Sequence, residues 1–538
     1  MSLRHKAALT AFAGLALGLA ACHAGKPQRP ACPAGQVCLE YGDNSEPLTL
    51  DPQKSNLVDE GVIISDLMVG LTTDAADGSP VPGAATHWET SADGLTWTFH
   101  LRPGALWSDS RPVTADDFVY GLRRVLDPRT SSISARLAYV LKNGRAVNEG
   151  KAPLEALGVR ARDPLTLELL LEQPTPYLPQ LLRHPNFFPA PRRLIETYGD
   201  AWVKPGRFVG NGPFRLIAWR LGDHLQVEKS PTFWDAAKVC IDRIDYHPTS
   251  DSVAAERRVE RGELDINASF QSNRLARIRE VAPGVPRAHA SLATYYLSFN
   301  TRDVKALQDI RVRRALSESI DRDFITAKLL RAGQVPAYSF VPPGTANYPG
   351  GAKFRWAAEP LAQRLIEARG LLTQAGYSPS HPLIVEIKTS NKSDNLLISQ
   401  AIQADWAAIG VQSRIVQNES QIAFAAYRNR DFQVGLMDWT ADFNDPTTFL
   451  GLMKSDVGAQ NYGDYRNAEY DAALARAEAE PDVARRGALL AGAEQRLLDD
   501  EGTAPLFFMV NRNLVSSRVT GWVDNVEDFH RARWLCVR

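Results

Sequence analysis

The stretch HWETSADGLTWTFHLR, residues 87–102, is the most legible piece of this chain. Leu95, Trp97, Phe99 and Leu101 alternate with Thr96, Thr98, His100 and Arg102. A period of two puts the apolar set on one face of a strand and the polar set on the other. Ser91-Ala92-Asp93-Gly94 is a turn signal just before that run, so the stretch predicts a hairpin with a half-buried second strand. Further on, Thr114-Ala115-Asp116-Asp117 has the form of a capping box. Phe118, Leu122 and Leu126 follow at spacing four, on one helix face, until Pro128 ends the run. The first unit therefore predicts a hairpin followed by an amphipathic helix.

Outward from it, strand and helix signals mix. Upstream, residues 37–41 predict a strand, 45–53 a turn-rich stretch and 62–71 a helix. Downstream, 214–219, 224–227 and 240–246 predict strands, and 252–261 a charged helix closed by Gly262. Residues 295–300 predict a strand and 309–320 a helix. Strand 383–388, helix 395–409 and strand 413–416 make a βαβ unit, and 506–510 is the last strand. The class is α/β, without internal repeats.

The chain has 538 residues, 44% of them hydrophobic, enough for two or three domains. A net charge of −1 leaves no electrostatic footprint for nucleic acid. The sequence has no H-E-x-x-H, G-x-S-x-G or P-loop pattern. Ser393-Asp394-Asn395 spells one motif of penicillin-binding enzymes, but no S-x-x-K supplies a nucleophile. The ten His show no metal-ligand spacing. Neither an enzyme nor a metal or cofactor site is expected.

The N-terminus predicts export. Arg4, His5 and Lys6 precede a short apolar run over residues 7–21, the form of a signal peptide. Leu19-Ala20-Ala21-Cys22 resembles a bacterial lipobox, which implies cleavage before Cys22 and acylation of its thiol; the alternative is an ordinary signal peptide cut nearby. Residues 23–38 suit a tether. Cys32, Cys38, Cys240 and Cys536 permit two disulfides in three pairings. The turn-like Pro33-Ala34-Gly35 favours Cys32–Cys38 with Cys240–Cys536.

DWTADFNDP, residues 438–446, sets Asp438, Asp442 and Asp445 beside Trp439 and Phe443 with no basic residue among them. A helix start explains part of this: Asp442 or Asn444 as cap and Pro446 at the first helical position. The sharper reading is a site for a cation, with aromatic walls that dry it.

Several blocks together resemble the oligopeptide-binding proteins of ABC importers. They are SEPLTLDP at 45–52, the run 85–130, GNGPFRLIAW at 210–219, PTFWDA at 231–236 and GELD at 262–265. TYYLSFNT at 294–301, DIRVRRALSESIDRD at 309–323 and PAYSFVPPG at 336–344 complete the set. The resemblance implies a type II periplasmic-binding-protein fold, with two lobes joined by a hinge and an extra domain inserted in lobe I. Lobe I would be 39–71, 200–292 and 510–538, the inserted domain 72–199 and lobe II 293–509. Cys240 and Cys536 would share lobe I. The function implied is capture of short peptides for an ABC permease, by a monomer in the periplasm of a Gram-negative bacterium, lipid-anchored through Cys22.

Within that family the anchor stretch carries the aspartate that receives the peptide's α-ammonium, which is Asp442 here, walled by Trp439 and Phe443. The resemblance also implies a cleft acid at Glu60 and a basic pocket residue near Arg428. This chain departs from the pattern elsewhere. Ala293 and Thr440 stand where some members have a disulfide, Ser134 and Ser420 where pocket aromatics stand, and Leu436 where a basic residue stands. Peptide length and preference therefore do not carry over. The same fold binding a metal chelate, haem or opine, or a peptide-sensing lipoprotein, are the other readings.

Overall fold

The computed structural model describes Arg29 and residues 31–392 and 394–538. The expected signal peptide, Cys22 and most of the tether lie outside the described residues. A mixed sheet forms the spine of the molecule. Its strands run in the order Gln412–Asn418, Ile384–Ser390, Val434–Thr440, Pro286–Phe299, Ala504–Val515, Ile266–Asn267, Cys38–Asp43, Arg243–Pro248, His224–Lys229 and Phe214–Arg220.

Two antiparallel strands of unusual length, Pro286–Phe299 and Ala504–Val515, join the halves of this sheet. The C-terminal part of the first pairs with Val434–Thr440, from Ala293 to Phe299. Its N-terminal part pairs only with residues 510–514 of the second, which in turn pairs with Ile266–Asn267. Between Ala290 and Thr294 the register shifts, an irregularity that bends the ladder where the chain passes from one half to the other.

The predicted hairpin is present. Ala85–Thr90 pairs antiparallel with Thr96–Leu101, in a separate sheet completed by Thr166–Leu170 and Val159–Asp163. Trp97, Phe99 and Leu101 are buried as the alternation requires. The helix Ala115–Leu126 starts where the capping box places it, with the Thr114 N–H donating to Asp117 Oδ2 at 2.8 Å. Phe118, Leu122 and Leu126 are buried. This unit shares one apolar core with the strands of the first half of the spine. The other half has its own cores, one built on Leu297, Ile387, Ile402 and Trp406 and another on Tyr296, Phe340, Phe449 and Leu490.

The βαβ unit is as expected, with Ile384–Ser390 and Gln412–Asn418 parallel and Asn395–Ala408 between them. Some bounds differ from the sequence reading. The first helix runs Val58–Leu67, not 62–71, because Glu60 in its first turn accepts from the N–H groups of Asn56 and Leu57 and fixes an earlier start. The two long strands outrun their predicted 295–300 and 506–510, because their outer segments carry polar residues such as Arg287, His289, Asn511 and Asn513 that break the apolar signal. Cys32 is bonded to Cys38, and Cys240 to Cys536. No helix among the described residues is long and apolar enough to cross a membrane.

Candidate functional site

The strand Val434–Thr440 ends inside DWTADFNDP, and the backbone then turns sharply. The Ala441 N–H donates at 2.8 Å to the Leu292 carbonyl, inside the irregular stretch of the long strand. The next N–H, of Asp442, donates to Thr448 Oγ1 at 3.0 Å. Two anchors on consecutive residues thus fix where the Asp442 side chain leaves the chain.

The three carboxylates of the stretch do different work. Asp438 accepts from Lys392 Nζ at 2.7 Å. Asp445 is fully buried and takes both guanidinium nitrogens of Arg486, at 2.7 and 2.8 Å. It also accepts from the Thr447 N–H at 3.1 Å. The N-cap of the helix Thr447–Leu450 is Pro446, with no side-chain cap bond, so the expectations of Asp442 or Asn444 as cap and of Pro446 at the first helical position are corrected. Asn444 is used otherwise: its Oδ1 accepts from the Ala346 N–H at 2.7 Å.

Asp442 is left facing the other half of the molecule. Its Oδ2 lies 3.1 Å from an Nη of Arg136, which belongs to the short 3-10 helix Ala135–Val140 of the hairpin unit. The guanidinium also lies over the Trp439 ring, 5.9 Å from its centroid. Phe443 stacks on Tyr177 from the same opposing unit, with centroids 4.7 Å apart and planes 3° apart. Burial holds the Asp442 carboxyl above the usual aspartate range, and Arg136 draws it partly back. The Trp439 indole N–H is buried without an acceptor. The place thus combines one cation in contact with a half-buried carboxylate, two aromatic walls and an unmatched donor.

Two hollows lie between the halves, the first of them against this place. One of about 150 Å³ is lined by Arg136, Leu137, Tyr177, Phe443 and Glu478. Another of about 310 Å³ lies against the long strands, lined by Ser272, Tyr295, Lys392, Asp394 and Arg512. Each takes walls from both halves of the molecule. Lys392 belongs to the second, so its Asp438 partner marks that hollow's side of the anchor stretch.

The remaining expected residues are dispersed. Glu60 is buried, and its carboxylate accepts four backbone N–H groups, from Leu48, Thr49, Asn56 and Leu57, at 3.0 to 3.2 Å. It holds the 48–57 loop and has no acceptor to spare for a ligand. Ser134 opens the 3-10 helix that carries Arg136, its carbonyl accepting from the Leu137 N–H at 3.0 Å. Ser420 opens the helix Ser420–Arg428 and donates to Asn391 Oδ1 at 3.0 Å. Arg428, at the end of that helix, is exposed. Sequence reasoning missed Arg136 and Tyr177. No local pattern marks them, since their partners come from the far half of the chain.

The fold is that of the type II periplasmic binding proteins, two lobes and a hinge with an additional domain. Superposed on the Escherichia coli murein tripeptide binding protein MppA, the chain gives a TM-score of 0.84 at 33% identity, covering 94% of this chain and 99% of that one. The family model for bacterial extracellular solute-binding proteins, family 5 (middle), matches residues 79–461. The periplasmic oligopeptide-binding protein OppA of Escherichia coli K12 is 36% identical over 91% of this chain and 90% of its own. The probable deoxycholate-binding periplasmic protein YgiS of the same organism is 33% identical over 94% of both. The chain belongs to family 5 of the bacterial extracellular solute-binding proteins. It is a binding protein and not an enzyme.

Proposed function

We propose that this protein captures short peptides between its lobes and hands them to an ABC permease, anchored in the periplasm by lipid on Cys22. The observation that carries the reading is Asp442: a half-buried carboxylate at a fixed turn, already holding a cation that comes from the opposite lobe. An α-ammonium would take the place of the Arg136 guanidinium. Carrying an ammonium into a closed cleft strips its water, and that cost is offset only by a placed carboxylate and hydrogen bonds. The free Trp439 N–H supplies a donor for a main-chain carbonyl of the ligand. Further main-chain pairing with the cleft follows the mode of strand addition, which ignores side chains and so tolerates many sequences.

The lobes are taken as 39–71, 200–292 and 510–538 for the first and 293–509 for the second, with 72–199 inserted. Asp438, with Lys392 beside it, precedes Asp442 by four residues, on the strand side of the turn. Lys392 and Arg512 then stand toward the ligand's carboxylate end.

Binding is the test. Asp442→Asn is expected to weaken a free-amino tripeptide by about 2–5 kcal/mol, the cost of removing one partner of a buried charge pair. Unchanged affinity in a folded variant removes Asp442 from the site. Mass spectrometry of the membrane-released protein is expected to find acyl chains on Cys22; an unmodified N-terminus ends the lipid-anchor reading. A non-peptide solute is the second reading, favoured by the relationship to YgiS. Calorimetric binding of a bile acid with no response to any peptide would select it.

A further inference from the structure

A separate group of ligating side chains gathers where the long strand Pro286–Phe299 meets the C-terminal segment. His289 lies on that strand, paired with Asn511 of its neighbour. Its Nδ1 lies 3.3 Å from the Ala290 carbonyl oxygen, which can accept from it. A proton on Nδ1, donated to that carbonyl, would leave the lone pair on Nε2. Nε2 is buried without a hydrogen-bond partner. It lies 3.6 Å from Asp528 Oδ1 and 4.0 Å from Asp524 Oδ1. His530 brings its own Nε2 to 2.8 Å from the same Asp528 oxygen. With the proton on Nδ1, the Nε2 lone pair faces carboxylate oxygens, an arrangement that a cation between them stabilises.

We propose that His289, Asp528 and His530 form a binding site for a divalent transition-metal ion of the zinc type, with Asp524 or a water completing the set. The ligating atoms of the first three lie within 4.8 Å of one another. Tetrahedral bonds of about 2.0–2.2 Å place ligand atoms about 3.3 Å apart. The observed 2.8 and 3.6 Å lie on either side of that value. Nitrogen and carboxylate donors suit zinc, and imidazole suits nickel and copper as well.

An outer layer is already in place. The Ala290 carbonyl orients His289, and Asn513 Nδ2 donates to Asp528 at 3.2 Å. The His530 ring stacks on Trp522, with centroids 3.5 Å apart. The Asp524 side chain is 37% exposed and gives an ion its way in. The bound ion would tie the strand that joins the lobes to the 524–530 segment and stiffen that connection. The other His group, His87, Glu89 and His100, differs: two of its members are exposed, on adjacent strands of the hairpin. It serves as the internal control.

The test is calorimetric titration of the purified, untagged full chain with Zn²⁺, after chelator treatment, beside His289→Gln, Asp528→Asn and the double variant His87→Gln/His100→Gln. The expected result is one saturable site per chain. His289→Gln and Asp528→Asn lose affinity by more than the ~100-fold that an outer-shell change costs. The double variant binds as the parent does. Each variant must melt as the parent does in chelator, which separates lost ligation from lost fold. Co²⁺ in place of Zn²⁺ is expected to give the intense visible bands of a tetrahedral site. Absence of saturable binding in the parent, or binding that survives both His289→Gln and Asp528→Asn, overturns the proposal. So does binding lost only in the double variant. His289 would then be an imidazolium held by two carboxylates.

Discussion

Asp442 and Arg136 face each other across the cleft at 3.1 Å, both partly open to solvent. A pair of this kind is worth about 1 kcal/mol or less. It is a placeholder that a better-desolvated ammonium displaces, and it competes with the ligand by that amount. Arg136→Gln is therefore expected to tighten binding of a neutral tripeptide, by up to about fivefold on the same scale. Weaker binding in calorimetry would instead make Arg136 a ligand contact. The pH response follows from the same carboxyl. Ammonium binding requires the ionised form, and burial raises the pKa at which that form is lost. Affinity is expected to fall on acidification, beginning at a higher pH than an ordinary aspartate would give, and Asp442→Asn is expected to remove that slope. A parent profile flat through the acid range would contradict the assignment. At this scale the sequence showed the carboxylate but not its use. Three aspartates in nine residues look alike until Lys392, Arg136 and Arg486 each claim one. Asp445 lies just before the helix, where it accepts from the Thr447 N–H while Arg486 neutralises it.

Elements with one dry face were legible and those without were not. The hairpin and the helix Ala115–Leu126 were read almost to the residue because burial and periodicity agree there. The outer segments of the long strands were not, since half-buried polar side chains there break the apolar period. Those segments hold His289 and Asn511, so the residues that join the lobes were the least visible. The C-terminal strand Cys536–Val537 has only two residues and pairs with Val519–Thr520. The Cys240–Cys536 bond closes a separation of 296 residues, against 6 for Cys32–Cys38. Longer closed loops restrict the unfolded chain more. Cys240→Ser/Cys536→Ser is expected to lower stability by about 2–5 kcal/mol in denaturant unfolding, and Cys32→Ser/Cys38→Ser by less. The reverse order would place the second bond's effect outside chain entropy.

At the scale of the whole molecule, the lobes meet through the Phe443–Tyr177 stack and the Arg136–Asp442 pair. The first supplies apolar contact that no ligand is needed to make. Phe443→Ala is expected to open the unliganded protein, read as a larger radius of gyration in small-angle scattering that contracts when peptide is added. A radius equal to the parent's in both states would mean that the stack does not hold the lobes. The two-lobed plan itself was legible from family blocks spread along the chain, whereas the contacts across the cleft follow only from the fold.

The most direct measurement uses the acid test of the anchor from the ligand's side. The protein is unfolded and refolded to remove carried-over ligand, then titrated calorimetrically with a mixed library of tri- to pentapeptides, and again with the same library N-acetylated. Binding that is lost on acetylation is the predicted result, since an amide has no charge for Asp442 to receive. Equal binding of both libraries by natively refolded protein would contradict an ammonium anchor at Asp442.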